Sequence, residues 1–331
     1  MDREKDCAYL SDDGHWRRLS AKCRDGDRHA RFRLSPGAGT FAQSMAAGPD
    51  NNLWFTGGPG IGKVTSEGNV TEYPVPGSVG SIVSGPDGNL WFTEANAIGR
   101  STTNGEITSF PLPKSKSQPT DITAGPDGDL WFTEEAANQV GRITPNGQIT
   151  EFPLPPGHHP SAIAAGPDGN LWFTEGGASR IGRITTAGQV TQLPVPGPPA
   201  KISDITAGPD GNLWFAEDAG PGIGRITLQG QVTQFAVPTE QGVHSIVSGP
   251  GGQLWFAVGY EVGAISTSGA VSWPACLIKG CWAPARGAGG RAGWEPLGRG
   301  QALNAAAIAA GRARSRCTFG RAGSADTCSP Q

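Results

Sequence analysis

The chain has 331 residues, including 51 glycines, 28 prolines and 10 tryptophans, and only 17% of its residues are charged. This composition is typical of a turn-rich β protein and argues against a helical bundle. The formal net charge is -3, without a polybasic block in the repetitive region, so we expect no nucleic-acid partner and no membrane surface. No apolar stretch approaches the ~20 residues of a membrane span and the N-terminus lacks an apolar targeting segment, so we expect a soluble protein in the cytoplasm. We also expect it to be a monomer.

Residues 1–29 precede the regular part of the chain and are predicted to form an irregular extension. The segment at 31–36 (RFRLSP) resembles the last strand of the repeat unit that follows it, with the first three strands missing. Ring-like β folds often close by pairing strands from the two chain ends. This segment is therefore predicted to be either a closing strand or the remnant of another unit.

A sequence repeat dominates the chain from about residue 41 onward. Each copy contains the tripeptide LWF, and successive tryptophans are 37 to 42 residues apart. These tryptophans are Trp54, Trp91, Trp131, Trp172, Trp214 and Trp255. A period of ~40–45 residues with strands marked by Gly and Pro is that of a four-stranded propeller blade. The sequence therefore predicts an all-β fold, a β-propeller over residues 30–274 with six recognisable blades and, as an open alternative, a partial seventh.

The unit at 120–155 shows how each blade is expected to divide into four strands. DITA, at 121–124, is a short apolar run that suits a buried inner strand, and Pro126 and Gly128 favour a turn into LWFTE. An Asn-Gly turn then joins QVGRIT to ITEFPLP. The prolines of that last strand place it on the outer edge of the blade, because proline cannot donate a ladder hydrogen bond. The tryptophan is predicted to pack between neighbouring blades.

Two acidic positions recur with the repeat. An aspartate in a GPD turn is predicted to satisfy local backbone donors and is present in five units, at Asp50, Asp87, Asp127, Asp168 and Asp210. A glutamate follows the LWF motif in four units, at Glu94, Glu134, Glu175 and Glu217. We predict a structural role for these glutamates, such as accepting backbone hydrogen bonds at a strand end. The alternative is a carboxylate ring that attracts a cation to the channel.

Residues 275–331 no longer carry the repeat. This segment is enriched in Ala, Gly and Arg and is of low complexity. Such a composition cannot bury enough apolar surface to form a core, so the segment is predicted to be a disordered tail.

The recurring pattern ITAGPDGNLWFTE, followed by IGRIT and GQITEFPLP, resembles the repeat of the virginiamycin B lyases, also called streptogramin lyases. The resemblance covers about residues 30–274. It implies a β-propeller enzyme that confers antibiotic resistance by linearising type B streptogramins, which are small cyclic depsipeptides. The ring is opened in that family by carbon–oxygen elimination rather than hydrolysis, with a bound Mg²⁺.

The resemblance also implies where the site lies. In the family, the residue that opens each inner strand faces the central channel, and two neighbouring blades supply histidines there, with a glutamate after the Trp-Phe pair of the second. The corresponding residues of this chain, here called the channel column, are Gln43, Gly80, Thr120, Ser161, Ser203 and His244. His244 is therefore the predicted catalytic residue, and Gln43, Thr120, Ser161 and Ser203 are predicted to contact substrate.

Two alignments of His244 remain open. If it matches the first family histidine, its partners should come from a following blade, which residues 275–331 do not provide. If it matches the second, Ser203 replaces the first histidine and Gly259 stands near the position of the glutamate. Glu261, two residues further on, is then a weaker candidate for the missing acid.

The implied chemistry explains why these groups matter. Elimination needs a base for the proton α to a carbonyl, an acid for the leaving oxygen and a cation for the enolate charge. An imidazole suits the proton transfers, while Mg²⁺ suits the charge and prefers oxygen ligands. The sequence assigns no metal ligand, so Mg²⁺ is expected only because the family uses it.

Two functions are therefore predicted as alternatives. One is a streptogramin B lyase-like enzyme that uses His244, and the other is a propeller that binds a ligand or a protein without catalysis. His158 and His159 lie in the loop before the fourth inner strand, and we expect them to be solvated rather than catalytic.

Overall fold

The computed structural model describes residues 42–273, apart from 58–59, 67, 177–178, 199, 219–221, 240 and 260, together with the backbone of 7–10 and 16–19. In the unit Met1–Arg33, β1 (Cys7–Leu10) and β2 (Trp16–Leu19) form an antiparallel pair. The predictions for residues 31–36 and 275–331 concern positions outside this described part. No helix that could span a membrane occurs among the described residues.

The described part of the repeat region forms six four-stranded antiparallel sheets, here called blades one to six. Blades one to three contain β3 (Ser44–Ala47), β4 (Leu53–Gly57), β5 (Gly60–Val64), β6 (Val70–Pro74); β7 (Val79–Ser84), β8 (Leu90–Glu94), β9 (Ala97–Ser101), β10 (Ile107–Pro111); and β11 (Pro119–Ala124), β12 (Leu130–Glu134), β13 (Gln139–Ile143), β14 (Ile149–Pro153). Each strand pairs with the next along the chain, so every blade is a meander.

Blades four to six repeat this arrangement. They contain β15 (Pro160–Ala165), β16 (Leu171–Glu175), β17 (Arg180–Ile184), β18 (Val190–Pro194); β19 (Ile202–Ala207), β20 (Leu213–Glu217), β21 (Gly222–Ile226), β22 (Val232–Ala236); and β23 (Val243–Ser248), β24 (Gln253–Val258), β25 (Glu261–Ser266), β26 (Val271–Ser272). The first strand of each blade contacts the first strand of the next blade, from β3 to β23. The predicted β-propeller is therefore confirmed, with six blades described.

The turns of blade three form for the predicted reasons. Gly128 and Gly147 have φ angles of 82° and 85°, a region that favours glycine, and each closes a tight turn by donating its N–H to a carbonyl three residues earlier. The inner strand β11 begins at Pro119, earlier than the apolar run suggests, and a register irregularity follows between Pro119 and Ile122.

The tryptophans lie between blades, as predicted. Trp54 of blade one packs with Leu90 and Phe92 of blade two, and the pattern recurs around the ring. The five tryptophans of blades one to five are fully buried. In four of these blades the indole also stacks on an aromatic ring of the outer strand, with centroids 5.2 to 5.6 Å apart. The hydrophobic core of this propeller is therefore distributed among the spaces between neighbouring blades.

The GPD aspartates hold these indoles in place. In blade two, Asp87 accepts hydrogen bonds from the backbone N–H of Asn89 at 3.2 Å and from Trp91 Nε1 at 3.0 Å. Burial opposes ionisation of Asp87, but hydrogen bonds from Asn89 and Trp91 outweigh it and lower its pKa. The prediction that this aspartate satisfies local backbone donors is confirmed, and the sequence reasoning missed its bond to the indole.

The two ends of the described ring differ from its interior. Trp255 of blade six is partly exposed, and its Nε1 is buried without a hydrogen-bond partner among the described residues, because Gly251 replaces the aspartate. Leu53 of blade one is also partly exposed, whereas the equivalent leucines of the other five blades are fully buried. Between the described strands β23 and β3 there is no contact comparable to that between adjacent blades.

Candidate functional site

The channel column lies at the start of the inner strands. Gln43 immediately precedes β3, and the other five members are the second residues of β7, β11, β15, β19 and β23. Gln43 and His244 are exposed, while the side chains of Thr120, Ser161 and Ser203 are partly buried. The structure therefore places the six residues at equivalent positions, one on each blade.

His244 forms a contact with a residue that the sequence analysis did not single out. Its Nδ1 lies 2.8 Å from Oδ1 of Asp218, and the two side chains are 40% and 35% exposed. Asp218 directly follows β20 of blade five, whereas His244 is on β23 of blade six. The pair bridges two adjacent blades and stays open to solvent, so a ligand can reach the imidazole.

The backbone around Asp218 is held from two sides. Its N–H donates a hydrogen bond of 2.9 Å to the carbonyl of Lys201, just before the inner strand of the same blade. Gly242, two residues before His244, packs so closely that a Cβ there would overlap the Asp218 carbonyl. This close approach brings the segment before β23 against the end of β20 and so places His244 beside the carboxylate.

The hydroxyls of the channel column tie neighbouring blades together. Thr120 Oγ1 donates to the carbonyl of Ser161 at 3.0 Å, and Ser203 Oγ donates to the carbonyl of Val243 at 2.8 Å. Each of these bonds runs from one blade to the next. The hydroxyl protons of Thr120 and Ser203 are therefore engaged by the scaffold, and a role for these residues in substrate binding stays a prediction.

Two aspartates follow the channel column on blades three and five. Asp121 accepts hydrogen bonds from Ser81 Oγ at 2.6 Å and from the N–H of Ile163 at 2.8 Å, and so joins blades two, three and four. Asp204 accepts from Ser245 Oγ and from the N–H of Ile246, both at 2.9 Å, and joins blades five and six. The sequence reasoning missed both, although the shared tripeptide DIT marks them.

Burial dominates the electrostatics of these aspartates. Desolvation raises the pKa of Asp121, against the hydrogen bonds that it accepts. For Asp204, desolvation raises the pKa to about 7, the charge of Asp121 adds to the rise, and hydrogen bonds from Ile246 and Ser245 oppose it. Asp204 therefore titrates near neutral pH.

Three of the four recurring glutamates after LWF are fully buried. The structure shows side-chain donors where backbone donors were predicted: Ser109 Oγ lies 2.7 Å from Glu94, Gln139 Nε2 lies 2.9 Å from Glu134, and Gln234 Nε2 lies 2.8 Å from Glu217. Of these three described glutamates, only Glu217 also accepts a backbone hydrogen bond, from Gly222. Burial raises the pKa of each of the four carboxyls. These contacts are typical of a structural role for the glutamates, as hydrogen-bond acceptors within the blades.

The expectation for His158 was wrong. Its side chain is buried, and its Nδ1 lies 2.7 Å from Oε2 of the fully buried Glu175. Ser117 occupies the equivalent place before blade three and is also buried, so the loop turns this position inward in both units. His159 is exposed, as expected, with Nδ1 3.3 Å from the carbonyl of Glu135.

Glu261, the weaker catalytic candidate, begins β25 and pairs with Val258 in the sheet. Its side chain is exposed, and no contact with His244 is found in the described part of the chain. The structure brings Asp218 to His244 instead.

The described residues do not fit the Mg²⁺ that the resemblance implies. No group of three or more His, Cys, Asp or Glu side chains within the described ranges is arranged to hold a metal ion. At His244 there is a single neighbouring carboxylate, and the imidazole already occupies it, whereas Mg²⁺ prefers several oxygen ligands.

The model of the virginiamycin B lyase family matches residues 33–275. A search of curated proteins gave no match.

Solved structures show the same similarity. The chain is 39% identical to selenomethionine-substituted virginiamycin B lyase from Staphylococcus aureus, with a TM-score of 0.68 over 72% of this chain and 85% of that one. It is 37% identical to a catalytically inactive histidine-to-alanine variant of the same lyase with quinupristin, with a TM-score of 0.71 over 75% and 89%. A streptogramin B lyase structure is 35% identical, with a TM-score of 0.69 over 73% and 84%.

Proposed function

This chain belongs to the virginiamycin B lyase family, and from that premise we propose that it linearises type B streptogramins by carbon–oxygen elimination. The family match spans all six described blades. The substrate class of this proposal comes from the relatives, one of which was solved with quinupristin.

One observation carries the proposal: His244 is exposed at the channel column and is positioned by a contact across the blade interface. A general base has to be reachable by the proton that it removes. The relative solved with quinupristin is catalytically inactive as a histidine-to-alanine variant, which supports a histidine as a functional group in this family.

In the proposed reaction, His244 acts on the ring ester. The imidazole takes the proton from the carbon α to a carbonyl, and the electrons of that C–H bond form a carbon–carbon double bond. The alkyl carbon–oxygen bond of the ester breaks, and the oxygen leaves as a carboxylate. The linear product has the mass of the cyclic substrate, because no water is added. Since the described residues do not fit Mg²⁺, no step is assigned to a metal.

Turnover by the His244→Ala variant tests this assignment. We expect the wild-type protein to consume a type B streptogramin and the variant to lose roughly 10²- to 10⁴-fold of that rate, the range for removing a general base. His159→Ala is the matched control, because His159 is an exposed histidine outside the channel column, and it should retain the wild-type rate. Equal rates for wild type and His244→Ala would exclude His244 as the base.

A second candidate function is binding without turnover. It is favoured by the channel column itself, in which His244 is the single titratable residue and two hydroxyls are bonded to backbone carbonyls. This alternative predicts that a streptogramin binds to the folded wild-type protein, as measured by calorimetry, and is recovered intact after long incubation.

A further inference from the structure

We infer that Asp218 is a positioning residue that holds the His244 imidazole with a proton on Nδ1 and leaves Nε2 free to accept the substrate proton. The inference rests on the proposed function for its catalytic meaning. It names a residue of the site for which neither the repeat pattern nor the family resemblance gave a role.

The contact defines the tautomer. An ionised carboxylate can only accept hydrogen bonds, so a 2.8 Å contact between Asp218 Oδ1 and Nδ1 requires the hydrogen on Nδ1. In a neutral imidazole the other nitrogen, Nε2, then carries the lone pair. A base that must accept a proton needs this nitrogen unprotonated, and the Asp218 contact provides that arrangement before substrate arrives.

The combination of Asp218 with a histidine on the next blade is found in one pair of adjacent described blades. The position immediately after the second strand is Ala95, Glu135, Gly176, Asp218 and Gly259 in blades two to six. A histidine occurs in the channel column only on blade six, which is the blade next to Asp218. Glu135 has the same relation to Ser161, yet no side-chain contact joins those two residues in the described part.

The scaffold keeps Asp218 in place without help from His244. The bond from its N–H to the Lys201 carbonyl recurs in blade four, where the N–H of Gly176 donates to the His159 carbonyl at 2.9 Å. Gly242 packs closely against the backbone of Asp218 and adds a second contact. Removal of the Asp218 side chain should therefore leave the backbone of the site intact.

Steady-state kinetics separates positioning from substrate contact. For Asp218→Ala we expect kcat to fall roughly 10-fold while KM stays unchanged. Removal of the hydrogen-bond partner of a functional histidine has effects of this size or larger, and we expect the lower end because this pair is partly exposed. Asp218→Glu should recover part of the loss. Glu135→Gln, which removes a carboxylate at the equivalent place in blade three, is the matched control and should keep the wild-type kcat. A rise in KM with unchanged kcat for Asp218→Ala would overturn the inference.

A second measurement does not depend on turnover. In ¹⁵N-labelled protein, with the His244 signals assigned through His244→Ala, we expect the imidazole chemical shifts to report a proton on Nδ1 in the wild type and a mixture of tautomers in Asp218→Ala. A proton on Nε2 in the wild type would overturn the inference whether or not the protein is active. If His244 carries its proton on Nδ1 but the protein never turns over a streptogramin, the proposed function is overturned. The catalytic role of Asp218 is then overturned as well.

Discussion

Asp204 is held between blades five and six, where desolvation raises its pKa from the ordinary 3.8 of an aspartate to about 7. Because the folded state binds this proton more tightly than the unfolded chain, the carboxyl stabilises the fold fully below the unfolded pKa. That contribution is lost as the pH rises through about 7.

The Asp204→Asn variant tests this sign. We expect the free energy of unfolding of the wild type to fall by about 1–2 kcal/mol between acidic and slightly alkaline pH, a value discounted for the partial exposure of Asp204. The variant should show a flatter dependence. Urea denaturation at a series of pH values measures the slope. A wild-type slope that persists unchanged in Asp204→Asn would show that another group is responsible.

The aspartate that bonds the indole in blades one to five supports a second prediction. Asp87→Ala leaves Trp91 Nε1 buried without its 3.0 Å partner, so we expect a loss of about 1–3 kcal/mol in the free energy of unfolding. Asp87→Asn keeps an oxygen acceptor and should lose less. Thermal unfolding of the two variants beside the wild type makes the comparison, and equal losses would argue against the indole bond as the cause.

At the scale of elements, each blade depends on a glycine in its third strand that lies under the phenylalanine of the second strand. A Cβ on Gly182 would overlap the ring of Phe173, which is fully buried. We therefore expect Gly182→Ala to destabilise the fold by about 1–3 kcal/mol through overpacking. Gly176→Ala is the matched control, because its Cβ would lie at an ordinary contact distance of 3.4 Å from the nearest atom. Thermal unfolding measures the stability of both variants. Equal losses in the two variants would contradict this packing.

Most of the strands could be predicted, because the recurring LWF motif and the turn residues that flank the strands are local signals. The start of the inner strands was less predictable: Pro119 pairs with Glu134 across an irregular register, and no local pattern marks that pairing. The orientation of His158 was also predicted wrongly because no local pattern marks it. Its environment is set by Glu175, which lies at the end of β16.

For the whole molecule, the order of blades determines which residues meet. The repeat register was sufficient to place His244 in the channel column. It was not sufficient to find Asp218, because that contact joins the end of a strand in one blade to the inner strand of the next. Predicting it required the distance between adjacent blades, which the sequence does not contain.

The ends of the described ring carry a further prediction. Trp172 is fully buried between two blades, so Trp172→Ala should cost about 3–5 kcal/mol of unfolding free energy. Trp255 is partly exposed and lacks a partner for Nε1 in the described part, so Trp255→Ala should cost clearly less. Chemical denaturation of the two variants compares them. Equal losses of stability would contradict this prediction and would mean that Trp255 is buried in solution to the same extent as Trp172.

The most direct test of the account is the mass of the product formed from a type B streptogramin by the purified wild-type protein. Elimination predicts a linear product of the same mass as the cyclic drug, with a new carbon–carbon double bond visible by fragmentation. A linear product heavier by one water molecule would show hydrolysis, and intact cyclic drug recovered from folded protein would show that His244 performs no ring opening; either result would contradict the proposed lyase.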